Sequence, residues 1–190
     1  MSGNALVHRV PDDEAEILAV VDEDDERVDE APRGTVHDDE LRHRAVHVLL
    51  SDEQGSLWLQ KRSQTKRTSP SRWTSSASGH VPTGEDPREA AQREIAEELG
   101  VEAPVLTFVG RTYVEDLDLG EREFNYVFAG IHPGTFDPDE DEVTQVTAFE
   151  PHEIDERMGV APGAFATSFR AIWRRSRKGD LETDDERLSV

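Results

Sequence analysis

Residues 79–101 read GHVPTGEDPREAAQREIAEELGV. This stretch carries its own helix start, its own helix stop and two distinct faces between them. Asp86 can accept from the free amides of a first turn, Pro87 suits that turn, and Glu89 stands where it can complete a capping box. Gly100 fits the left-handed residue just past a helix end. Ala91, Ile95 and Leu99 recur at helical spacing and give one apolar stripe for a core. Glu94, Glu97 and Glu98 stand three and four apart, so their carboxylates share a second face beside that stripe.

Three carboxylates this close repel one another, and holding them together costs stability unless a cation joins them. Hard oxygen donors favour Mg²⁺ or Mn²⁺. A bland reading competes, because Glu is abundant throughout the chain and acidic residues on a helix are usually a solvated face. Arg93 likewise has an ordinary use, as a helical partner for Glu89 or Glu97.

The fixed neighbours separate the two readings. Gly79, five residues, Glu85, seven residues, Arg93-Glu94-Ile95, one residue, Glu97-Glu98, one residue and Gly100-Val101 resemble the Nudix signature at every fixed position. The resemblance implies an α/β fold, a Nudix α/β/α sandwich with a mixed sheet. It implies a hydrolase that handles a small-molecule diphosphate with Mg²⁺ or Mn²⁺. By the same resemblance Glu97 and Glu98 are the main ligands, Glu94 is a ligand or the general base, the Gly79 carbonyl also ligates, and Arg93 orients the cluster. Which Glu is the base stays open. The chemistry accounts for the need: a bound cation reverses the local field for an anionic substrate and lowers the pKa of a coordinated water.

The likeness extends from about Ile17 to Trp173. His43-Arg44-Ala45, Leu59-Gln60-Lys61-Arg62-Ser63, Lys66, Pro70, Trp73 and Gly79-His80 are similar to one subgroup, the cysteine-dependent isopentenyl diphosphate isomerases and related hydrolases. That subgroup places Arg62 and Lys66 against the diphosphate. It also implies a second metal site at His43, His80, Glu121 and Glu123, with His37 a further match whose spacing is one residue short. Three departures argue against isomerase chemistry. Ser78 stands at the catalytic cysteine, Ser168 at the C-terminal aromatic, and the first helix glutamates, Glu94 and Glu97, are intact. A serine hydroxyl is a poor proton donor and acceptor at neutral pH. Hydrolysis is the expectation, with an isomerase or a non-catalytic sensor as the alternatives. Glu142 suits a further metal or substrate role, or simply belongs to the acidic loop Asp139 to Glu142.

Composition bounds the rest. A chain of 190 residues supports one core. The sequence shows no apolar run of membrane-spanning length and no signal peptide, so a cytoplasmic protein is expected. Cysteine is absent, which excludes disulfides and thiolate sites. The net charge of −21 argues against nucleic acid and anionic membrane as partners. Lys61, Lys66 and Lys178 are the only lysines, and this balance resembles proteins of salt-loving archaea. In molar salt, repulsion is screened within about 3 Å.

The chain divides into an acidic, loosely ordered segment 1–16, a domain over 17–176 and an acidic tail 177–190. Strands are expected at Ile17 to Val21, near Val28, at Ala45 to Leu50, and at Leu57 to Arg62 as the second arm of a hairpin. Trp73 to Gly79 is read as extended, and Val105 to Val114, Glu123 to Ile131 and Thr144 to Glu150 as strands. Helices are expected at Pro151 to Met158 and Pro162 to Arg175. The loops 115–122 and 134–143 are the places where specificity would reside. The sequence fixes no oligomeric state.

Overall fold

The computed structural model describes residues 13–116, 119 and 121–183; of the loose ends expected at 1–16 and 177–190, residues 1–12 and 184–190 lie outside the described residues. Two strands open the chain, β1 (Ile17–Val21) and β2 (Arg27–Pro32), paired antiparallel, followed by a short helix α1 (Arg33–Asp38). The main sheet is built from β3 (His43–Ser51), β4 (Leu57–Arg62), β5 (Trp73–Thr74), β6 (Ala77–His80), β7 (Thr107–Asp116), β8 (Glu121–Ile131) and β9 (Val143–Phe149). The helix α2 (Pro87–Leu99) follows β6, and α3 (Pro151–Val160) and α4 (Thr167–Lys178) close the chain. The sheet is mixed: β3 runs parallel to β8 and antiparallel to β6, while β7 returns antiparallel to β8.

Strand alternation explains the two layers. On β3, Val46, Val48 and Leu50 point to one face, and on β8 Phe124, Tyr126 and Phe128 join them. Against them packs the apolar stripe of α2, with Ala91, Ile95 and Leu99 all fully buried. The opposite face carries Leu49 and Val127, which pack with Phe149, Ile154, Phe169 and Ile172 beneath α3 and α4. Helices therefore cover both faces, which is the expected α/β/α sandwich.

The local signals of α2 act as read. Asp86 accepts from Arg88 N at 2.8 Å, and Gly100 sits at φ 64° just past the helix. The cap is the Asp86 bond alone, without the reciprocal bond expected from Glu89.

Three expectations are corrected. The hairpin from β3 into β4 amounts to one ladder pair, Ser51 with Leu57. The edge of β3 is taken instead by β6, with Ser76 Oγ accepting from Leu50 N, and β4 pairs with β9 and β5. The terminal helix does not begin at Pro162: a single 3₁₀ turn, Pro162–Ala164, leads into extended Phe165, whose bridge to Trp73 joins it to the sheet. Helix α4 then starts at Thr167. The first residues of the tail expected from 177 are ordered instead: α4 reaches Lys178, Leu181 packs into the core, and Glu182 bonds the backbone of Arg111.

Candidate active site

Parity along the strands also places the polar residues. Glu121 and Glu123 on β8, His43 and His47 on β3, and Ser78 and His80 on β6 share one face of the sheet, before Leu49 and Val127 begin the core there. Gly79 points the other way, toward α2. A Cβ at Gly79 would meet the Glu94 carboxylate where it now lies, so a larger residue there would displace that side chain. A cavity of about 350 Å³ opens at this junction, lined among others by Glu94, Glu97, Glu98, Glu121, Glu123 and Glu142.

Arg93 holds the acidic cluster in place. Its guanidinium donates to Glu85 at 2.9–3.3 Å, to Glu94 at 2.5 Å, to Glu97 at 3.0 Å and to the His80 carbonyl at 3.1 Å. The planar fork thus ties the loop before α2 to its acidic face. Glu98 is 3% exposed, and both of its donors, Gln60 Nε2 at 2.6 Å and Ser78 N at 2.8 Å, fall on Oε2. Burial pushes Glu94 up to about 8, with Arg93 opposing and the Glu98 and Glu97 charges reinforcing. Burial likewise pushes Glu98 up to about 7, eased by Lys66 and raised again by Glu142.

A second group adjoins the first. Ligand atoms of His37, His43 and His80 lie within 4.8 Å of one another. Glu123 Oε1 stands 3.5 Å from His43 Nε2 and 3.8 Å from His80 Nε2. Glu121 is 5% exposed, with Oε2 buried and lacking a hydrogen-bond partner, and burial beside Glu123 pushes it up to about 8. His80 is driven well below the ordinary imidazole range, by burial first and the neighbouring histidines next. Every residue expected at the second cluster is therefore brought to one place, His37 included, because α1 supplies it despite the shortened spacing.

The expected cations face the same space. Arg62 lines the cavity, with Nε donating to the Thr68 carbonyl at 3.1 Å. Lys66 is paired with Glu142 across it, and Ser63 N donates to the Glu142 carbonyl at 2.9 Å, so Glu142 is no solvated loop residue.

The model of the NUDIX domain matches residues 41–169, more than half of the chain. The chain belongs to the Nudix family. An isopentenyl-diphosphate Delta-isomerase of Streptomyces coelicolor is 36% identical over 169 residues, covering 86% of this chain and 85% of the relative. The Nudix hydrolase YfcD of Escherichia coli, itself uncharacterised, is 33% identical over 142 residues, 75% of this chain and 78% of that one. Among solved structures, DR0079 of Deinococcus radiodurans superposes with a TM-score of 0.73 at 27% identity, covering 85% of this chain and 99% of that chain. By class the chain is a Nudix hydrolase, in the branch related to isopentenyl diphosphate isomerases. Among the described residues no helix is long and apolar enough to cross a membrane.

Three further residues bear on this cavity without having been singled out above. Gln60 holds Glu98, yet in the sequence it stood only within the subgroup match Leu59-Gln60-Lys61-Arg62-Ser63, with no role attached. Arg33, at the start of α1, lines the cavity beside the histidines. His47 lines it too, with Nδ1 2.7 Å from Ser75 Oγ, and burial lowers it to about 4, so it stays neutral through the physiological range.

Proposed function

We propose that this chain is a divalent-metal-dependent hydrolase that cleaves the phosphoanhydride bond of a small organic or nucleoside diphosphate. The observation that carries this reading is one cavity lined by Glu94, which lies close against Gly79, by the buried Glu98 and by Arg62. The donors are oxygens, and two carboxylates there are raised by burial without a cation, which is the electrostatic condition for binding Mg²⁺ or Mn²⁺. Glu94, Glu97, Glu98 and the Gly79 carbonyl would hold the ion, and the ion would supply charge neutralisation and a more acidic water. The nitrogen and oxygen donors of His37, His43, His80, Glu121 and Glu123 would suit a second cation. Arg62 and Lys66 orient the diphosphate. Water oxygen then bonds to phosphorus, the bridging P–O bond breaks, and a glutamate of α2 accepts the proton while the leaving phosphate carries the electron pair.

Protons and the cation compete for the same carboxylates, which gives a signed pH dependence. Glu94 and Glu98 sit above the ordinary value of 4.5 in the folded, metal-free protein, so the folded state holds protons that the unfolded chain has released. Their contribution to stability is full below about 4.5 and lost as pH rises toward 8. The cation must displace those protons, so Mg²⁺ affinity measured by calorimetry is expected to rise about tenfold or more from pH 6 to pH 8. An affinity flat across that interval would place the ion elsewhere.

Isomerisation is the competing reading, favoured by the name of the Streptomyces relative. Ser78 and Ser168 line the cavity where that chemistry would need a thiol and an aromatic ring. Phosphorus and proton NMR on isopentenyl diphosphate with Mg²⁺, in molar KCl suited to so acidic a chain, separate the two. Released phosphate is expected. Dimethylallyl diphosphate accumulating without it would replace the hydrolase by an isomerase.

A further inference from the structure

The loop between β4 and β5 carries Lys66 and holds Arg62, yet its backbone is not one that its sequence favours. Lys66, Thr68 and Ser69 line the cavity, and the Thr68 carbonyl accepts from Arg62 Nε at 3.1 Å. Ser69 has φ 49° and Ser71 φ 58°, so two serines within three residues lie in the left-handed region. Such residues persist where their surroundings over-determine them. One side of the loop leans on the turn before β9. Ser63 N donates to the Glu142 carbonyl at 2.9 Å, Thr65 Oγ1 donates to the Asp141 carbonyl at 3.4 Å, and Lys66 pairs with Glu142.

Arg67 fixes the other side. Lys66 and Thr68 on either side of it face the cavity, while its own guanidinium turns to the segment around α1. Nη1 donates to the two oxygens of Glu14 at 3.3 and 3.2 Å, and Nη2 donates to Asp38 Oδ1 at 2.6 Å. Both acceptors are tied to α1. Asp38 is its last residue, next to His37 of the histidine group. Glu14 is seated on its first turn: Gly34 N donates to the Glu14 carbonyl at 3.1 Å, and a Cβ at Gly34 would meet the Glu14 carboxylate. Arg33, beside Gly34, lines the cavity together with Asp13 and Glu16. One planar fork therefore joins two parts of the chain that both line the cavity, a geometry that a single ammonium does not reproduce. The side chains of Arg67, Glu14 and Asp38 are 37%, 55% and 71% exposed, and pairs this open contribute little to stability. What they fix is position.

We propose that Arg67 is a positioning residue for diphosphate binding. By tying loop 63–72 to α1, it holds Lys66 and, through the Thr68 carbonyl, Arg62 where they meet the diphosphate. This rests on the assignment of those two cations above. Without the tie, binding has to order the loop first, and affinity falls by that cost.

The test reads binding rather than turnover, by calorimetry with Mg²⁺ and methylenediphosphonate, whose P–C–P bridge water does not cleave. It is run at the lowest KCl concentration in which the parent stays folded, because salt weakens exposed pairs. Arg67→Ala is expected to raise Kd for the diphosphonate about three- to tenfold, the scale of ordering one or two side chains, with Mg²⁺ affinity and the unfolding midpoint unchanged. The double variant Glu14→Gln with Asp38→Asn is expected to raise Kd by the same factor, and adding Arg67→Ala to it should raise Kd no further. An unmoved Kd in Arg67→Ala overturns the proposal. So does a Kd raised in Arg67→Ala alone but not in the double variant, which would put Arg67 itself on the ligand. Failure of the parent to bind the diphosphonate with Mg²⁺ present overturns the assignment of Arg62 and Lys66 and this role together. Binding that follows the expected pattern, with no phosphate released from any diphosphate, sinks the hydrolase reading and leaves the role of Arg67 standing.

Discussion

Glu98→Gln is expected to cost about 10²–10³-fold in kcat for diphosphate hydrolysis while the fold survives, the size of effect that loss of one preorganised electrostatic group produces. The reason lies in how Glu98 is held. Gln60 Nε2 and Ser78 N both donate to Oε2, so Oε1 is turned to the cavity with a formal negative charge to share. A glutamine placed there satisfies the same two donors with its carbonyl oxygen. Its amide NH₂ then occupies the position of Oε1, presenting hydrogens where a cation has to sit. Burial makes this exchange easy on the fold, because the neutral amide costs less to desolvate than a carboxylate pushed up to about 7. The variant should therefore unfold at the same temperature or higher, bind Mg²⁺ more weakly by calorimetry, and turn over slowly at saturating metal. Turnover within a few-fold of the parent would remove Glu98 from the catalytic ion.

Glu98 also shows what a sequence discloses and what it withholds. Helix α2 was legible because its limits are local: Asp86 and Pro87 start it, Gly100 stops it, and the stripe of Ala91, Ile95 and Leu99 lies within a few turns. The sharing of one helix face by Glu94, Glu97 and Glu98 follows from spacing alone. Gln60 is different. Its partner lies 38 residues on, and the contact exists only because β4 and β6 both approach α2. The gathering of His37, His43, His80, Glu121 and Glu123 is non-local in the same way, and resemblance rather than pattern announced it. Pairing was the least legible feature. Asp52 to Gly55 does turn the chain, yet the turn does not commit β4 to β3, because β6 competes for the same edge with Ser76 bonding into the ladder. Phe165 falls within the helix expected from Pro162 to Arg175, but the backbone ahead of Thr167 is held extended by a bond from Ala166 N to the Trp73 carbonyl.

The second large effect is expected at Asp25, one of the acidic residues between β1 and β2. Its side chain is fully buried. Oδ1 accepts from Arg44 Nε at 2.7 Å, Oδ2 accepts from Arg111 Nη1 at 2.8 Å, and the Tyr126 hydroxyl donates to Oδ2 as well. One carboxylate thus ties the turn between β1 and β2 to β3, β7 and β8, at separations of 19, 86 and 101 residues. Breaking a buried ionic network by removing one partner costs about 3–5 kcal/mol, since charges are left without compensation in low dielectric. Here Asp25→Ala takes the buried carboxylate from two guanidinium groups that are 18% and 16% exposed, leaving Arg111 its Glu182 partner and Arg44 the backbone carbonyl of residue 25. At 2–4 °C per kcal/mol for a chain of this size, the midpoint should fall by on the order of 10 °C. Asp25→Asn keeps the shape and the hydrogen bond from Tyr126 but not the charge, so it should lose less than the alanine variant and more than a surface change. Salt sharpens the test. Exposed ion pairs fade in molar KCl, whereas a pair shielded from solvent is screened far less, so the deficit of Asp25→Ala in denaturant titrations should persist at high salt. A deficit that vanished there would mean that the network is no more than surface charge, and that the β1–β2 pair is held to the sheet by its apolar contacts alone.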